Sequence, residues 1–151
     1  MTHKILTATL AHVQELGKNM NAEDVAELKA LGLKPHRALW RGWKVSTIRK
    51  ALIVDGEVAA IWGVVGGFMG TTGIAWLLTG PKFRQIPPIR LARLYQNEVR
   101  KLLETYQVIE NLVDCGYIGA VRMLKIAGFS FDDPMPVGKF KSSFMRFYKA
   151  A

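Results

Sequence analysis

Residues 73–80 read GIAWLLTG, residues 89–106 read IRLARLYQNEVRKLLETY, residues 108–115 read VIENLVDC, and residues 117–129 read YIGAVRMLKIAGF. The two octapeptides are short and apolar, which is the length and composition of buried strands. Between them Leu91, Tyr95, Val99, Leu102, Leu103 and Tyr106 recur at three- and four-residue steps, so they share one face of a helix. Arg90, Arg93, Asn97, Arg100, Lys101 and Glu104 are left mostly toward water. Pro87 and Pro88 stand at the start of this helix, where a missing N–H costs little. Strand, helix, strand, helix in this order predicts a parallel βαβ unit with one more helix behind it. The fold class is therefore α/β (α+β), a central mixed sheet with flanking helices.

Working outward, the span Val58–Gly80 carries no charged residue and is long enough to cross a bilayer. It holds Gly63 and Gly67, and Gly66 and Gly70, at the spacing of paired membrane helices. Glycines at 63, 66, 67, 70, 73 and 80 instead break a helix and favour turns. The reading adopted is two buried strands joined by the turn GGFMGTTG, with no membrane span. Asp55-Gly56 is a type I′ hairpin signal between VSTIRKALIV, residues 45–54, and a returning strand from Glu57 to Val65.

Nearer the start, residues 1–16 show no cleavable leader pattern and read as helix. Leu10, Val13 and Leu16 place a helix over Thr7–Gly17, with Gly17 as its stop. Asn21 is the expected cap of a second helix, where Glu23, Asp24 and Glu27 suit the dipole and Gly32 ends it. Pro35–Trp43 adds a helical turn or two anchored by Leu39, Trp40 and Trp43. At the other end, Asp132-Asp133-Pro134 marks a turn. Beyond it Phe140, Phe144, Phe147 and Tyr148 alternate with Lys139, Lys141, Arg146 and Lys149. That pattern predicts a last strand or hairpin with one buried face.

A chain of 151 residues, half of them apolar, is expected to form one ordered domain over 1–151. Its formal charge of +9 favours an acidic partner, and non-specific contact with DNA is the expectation. The single cysteine, Cys115, ends an apolar run and reads as a structural thiol in a reducing compartment.

Several chemistries lack their residues. His3, His12 and His36 are scattered, and no Cys/His spacing fits a metal site. There is no GxSxG elbow and no P-loop lysine after the glycine-rich run. The remaining candidate is the corner between GIAWLL and the long helix, where Lys82, Arg84 and Arg90 gather. Helix-start amides attract anions, so a phosphate-bearing ligand fits there; solvated loop charges fit equally well.

The order of elements resembles the GNAT acyltransferase fold, most clearly in YIGAVRMLKIAGF with its Gly128-Phe129 end. A series of blocks also resembles the internal virion protein A family of tailed phages, which has a GNAT-like fold. They are KNMNAEDVAELKALGLKPHRAL, AIWGVVGG, IAWLLTG, ENLVDCGYIGAVRMLKIAGFSFDDPMPVG and the Phe-rich tail. That resemblance implies a virion protein acting in assembly with other phage structural proteins, found in the virion and the host cytoplasm. It implies an acyl-CoA site at Leu77, Leu78, Arg84, Ile89, Arg90 and Tyr117. The departures matter. The loop glycines of active members fall on Pro87 and Ile89, and the general-acid tyrosine falls on Leu124. The expectation is a binding protein with no cofactor; the alternative is an acetyl-CoA-dependent N-acetyltransferase, with Glu57 or Glu110 as base.

Overall fold

A computed structural model of the chain describes residues 1–66 and 71–151. The fold is mixed α/β, with a central mixed sheet that includes a parallel strand pair, and flanking helices. Two compact units divide it: residues Met1–Val65 with Ala75–Ile86, and residues Gly66–Ile74 with Pro87–Ala151.

The first unit starts with strand β1, His3–Thr7, followed by helices α1 (Leu10–Asn19), α2 (Ala22–Ala30) and α3 (Pro35–Val45). Strands β2 (Ile48–Val54) and β3 (Glu57–Gly66) form an antiparallel hairpin, and β1 pairs antiparallel with β2. Asp55 and Gly56 both have positive φ, +48° and +82°, as a type I′ turn requires. The expected helix over residues 1–16 is corrected: His3–Thr7 is a strand. Five residues of HKILT gain a ladder along β2, and that non-local pairing outweighs the local helical pattern.

Helix α1 begins only after Thr9, whose Oγ accepts from the His12 amide while His12 Nδ1 accepts from the Thr9 amide. It runs past Gly17 to Asn19. Its Val13 and Leu16 join Leu39, Ala51, Val58, Ile61 and Leu78 in the core of this unit. Trp43 and Trp76 pack against that core. The inward role expected of Trp40 is also corrected: it is 42% exposed, because the rotation of α3 that buries Leu39 turns Trp40 outward.

The second unit contains the Thr72–Ile74 start of one strand, the helix from Pro88 and the strand that follows it. Strand β4 (Thr72–Thr79) runs parallel to β5 (Val108–Asp114), with Thr72, Gly73 and Ile74 opposite Val108, Ile109 and Glu110. Helix α4, Pro88–Thr105, links them and buries Val99 and Leu102, with Tyr106 buried just past its end. The span Val58–Gly80 is therefore not a helix; its described parts belong to β3 and β4, and no described helix is long and apolar enough to cross a membrane. Of the glycine-rich turn, residues 67–70 lie outside the described residues.

Helix α5, Ile118–Ile126, buries no residue fully; Val121 and Leu124 are half-buried, as is Leu94 on α4. Gly128, at φ +92°, ends it in the left-handed conformation that favours glycine. Strand β8 (Ser142–Ala150) pairs with β5 along one edge and with β6 (Ser130–Phe131) and β7 (Met135–Val137) along the other. The tail has two covered faces rather than one. Phe144 and Phe147 are both buried yet three residues apart, and a strand sends such positions to opposite sides. Phe147 meets Phe129 edge-on at 5.2 Å, whereas Phe140 sits in the turn, 71% exposed.

Candidate functional site

The residues implied for acyl-CoA binding divide between the two units. Leu77, Leu78 and Arg84 belong to the first; Ile89, Arg90 and Tyr117 belong to the second.

In the first unit, Leu78 is a core residue and Leu77 is half-buried. The end of β4 is pinned to the start of α2 by a buried polar group. Asp24 accepts from the Thr79 amide at 2.8 Å and from its hydroxyl at 2.5 Å. Asn21 Nδ2 donates to Thr79 Oγ at 2.8 Å and to the Gly80 carbonyl at 2.9 Å. The capping role expected of Asn21 is thus replaced: its side chain makes no cap bond to α2 and ties β4 instead. Past Gly80 a short 3-10 turn, Pro81–Gln85, carries Lys82 and Arg84. Arg84 forms an ion pair with Glu23 of α2. A hydrogen bond from its own main-chain amide, then the Arg84 guanidinium, hold the Glu23 carboxyl below its ordinary value. The cation named for a ligand phosphate has an internal partner.

In the second unit, α4 has Pro87 as its cap and Pro88 as its first residue. A helix start normally offers four free amides. Two are absent here, leaving those of Ile89 and Arg90, since Leu91 already bonds to the Pro87 carbonyl at 2.9 Å. Ile89 is 72% exposed. Tyr117 caps α5 from a half-buried position, and its amide donates to the Asp114 carbonyl at 3.0 Å. At Leu124 there is no ionisable group for proton delivery.

The two candidate bases lie in different surroundings. Glu57 is exposed at the hairpin turn. Glu110 accepts two hydrogen bonds from Arg146, at 2.9 and 2.5 Å, and Asp132 takes a third at 3.3 Å. Glu110 in turn raises the Arg146 guanidinium above its ordinary value. Arg146 also lies 4.3 Å from the Tyr148 ring centroid. No described group of three His, Cys, Asp or Glu residues is arranged to hold a metal ion. The first unit has a surface cavity of about 470 Å³ lined by His3, His12, Glu15 and Asp55. Its polar groups serve the fold: Glu15 accepts from the Val58 amide, and Asp55 from the Thr2 amide.

No family model and no curated protein sequence matches the chain. Solved structures do. The GNAT-family acetyltransferase from Streptococcus pneumoniae superposes with a TM-score of 0.68 at 11% identity, covering 99% of each chain. The spermidine N-acetyltransferase from Vibrio cholerae, in complex with CoA and spermine, gives 0.70 at 9% identity, covering 98% of this chain and 95% of that one. The ribosomal-protein acetyltransferase RimL, in complex with coenzyme A, gives 0.71 at 8% identity over 99% and 94%. This chain therefore has the GNAT acetyltransferase fold, and at these identities the likeness is one of fold alone.

Proposed function

We propose that this protein is a binding protein built on the acetyltransferase fold, with little or no acetyl transfer. One observation carries the reading: the start of α4 has lost two amide donors to Pro87 and Pro88. A pyrophosphate held at a helix start depends on several such amides at close approach. The residues present therefore fit acetyl-CoA poorly. The pairing of Arg84 with Glu23 and the apolar Leu124 support the same reading. The finer role, assembly of a tailed-phage virion alongside other structural proteins, rests on the sequence resemblance.

The alternative, an active acetyl-CoA-dependent N-acetyltransferase, draws on the CoA-bound solved neighbours and on the two remaining amides beside Arg90. Isothermal titration with acetyl-CoA separates the two, followed by a free-thiol release assay with simple amines. The expected result is no saturable binding tighter than about 1 mM, and no thiol release. Micromolar binding with turnover that disappears in Arg84→Ala would establish the enzyme instead.

A further inference from the structure

Helix α3 reads PHRALWRGWKV, and its rotation is set from inside. Leu39 is fully buried, and the Trp43 indole N–H donates to the Ala8 carbonyl at 2.8 Å. At Gly42 an added Cβ would meet the Trp76 ring at 3.2 Å. With that face inward, Arg37, Arg41 and Lys44 fall on the outward side, together with Lys34 at the cap and the exposed Trp40. The four cations follow at steps of three, four and three, a stripe about 15 Å long.

Nothing nearby in the sequence balances this charge. From Leu28 to Val54 the chain has no Asp or Glu. Elsewhere Arg84 and Arg146 each find a carboxylate, but among the described residues none of these four cations forms an ion pair. Lys44 instead places its Nζ 4.7 Å from the Trp40 ring centroid, holding the indole within the stripe.

We infer that the outer face of α3, Lys34, Arg37, Trp40, Arg41 and Lys44, binds single-stranded nucleic acid. The cations take successive backbone phosphates and Trp40 stacks on a base. Free cations in a row attract a polyanion, and an exposed indole adds a contact that an unpaired base can make and a base-paired one cannot. An anionic membrane is the weaker fit. A helix that lies in a bilayer surface buries its apolar face in lipid, and here that face is already packed inside the unit. The inference is independent of whether acetyl-CoA binds.

The test is fluorescence anisotropy over a salt series, using labelled single strands of about 15 nucleotides, oligo-dT and oligo-U, and a duplex of equal length. Both single strands should bind more tightly than the duplex. Replacing two phosphate contacts in Arg37→Ala/Arg41→Ala should flatten the slope of log affinity against log salt by about 1.4. Trp40→Ala should weaken single-strand binding by about fivefold or more with the slope unchanged. Arg122→Ala/Lys125→Ala, on α5, should change neither. The inference is overturned if Trp40→Ala has no effect, if the duplex binds equally well, or if the α5 pair matters as much as the α3 pair. It is also overturned if phosphatidylserine vesicles bind through Trp40 while the oligonucleotides do not. Matching thermal melts of the variants confirm that each is folded.

Discussion

Asp24 and Arg146 are each the centre of a small hydrogen-bonded group, one in each unit, and they sit in different solvents. Asp24 is 3% exposed, and both of its bonds from Thr79 are buried. The Arg146 side chain is 35% exposed and divides its donors between Glu110 and Asp132, themselves 31% and 50% exposed. By the number of paired charges the second group is the stronger. Water reverses that order, because a broken pair that water reaches is rehydrated and a fully buried one is not.

The largest expected effect tests that contrast directly. Asp24→Ala leaves the Thr79 amide and hydroxyl without their acceptor, at about 2 kcal/mol each, so denaturant melts should show a loss of about 4 kcal/mol. A loss under about 1 kcal/mol would place the two groups on the same footing. Next, Leu102→Ala should cost about 3 kcal/mol, as truncation of a buried leucine does. That value would show the second unit depending on apolar burial rather than on its ion pairs. Glu110→Gln, in a half-buried pair that water still reaches, should then lose about 1 kcal/mol. A loss equal to that of Asp24→Ala would break the comparison.

The smallest effect is a pH dependence. Glu23 and Asp55 titrate below their ordinary values of 4.5 and 3.8, Asp55 chiefly through the Thr2 amide. A carboxyl depressed in the folded state adds stability above its unfolded pKa and loses it as pH falls through the folded one. Thermal melts of wild type and Glu23→Gln should therefore differ slightly at neutral pH and converge in the acid range below 4.5. A difference that grows on acidification would reverse the assignment.

How far the sequence could be read follows from the range of each interaction. The Asp55-Gly56 turn and the Gly128 helix end rest on neighbours a few residues away, and the β4–α4–β5 unit, though Thr72 pairs with Val108, is written in the local apolar patterns of its three elements; all are legible. Strand β1 is not, because His3–Thr7 is a strand only by virtue of β2, with His3 opposite Val54. Asn21 carries a cap signature, yet its side chain spends its donors on Thr79 and Gly80. The candidate corner suffered in the same way. Arg84 and Arg90 were visible as cations, but Glu23, the partner of Arg84, lies 61 residues away. Trp40 reads as an anchor because aromatic content alone does not tell the inner face of α3 from the outer. The 34, 37, 41, 44 spacing of cations was the signal that would have separated them.

The shallow seat of α5 has a consequence in time rather than in space. None of Ile118–Ile126 is fully buried, and Ile118 and Ile126 are 67% and 44% exposed. Little apolar area is exposed when such a helix lifts, so its opening is a local event well below global unfolding in free energy. Its amides should be the first in the second unit to exchange with deuterium, far ahead of those on β5 and β8. The same openings should present Arg122 and Lys125 to trypsin, sites that the closed helix withholds.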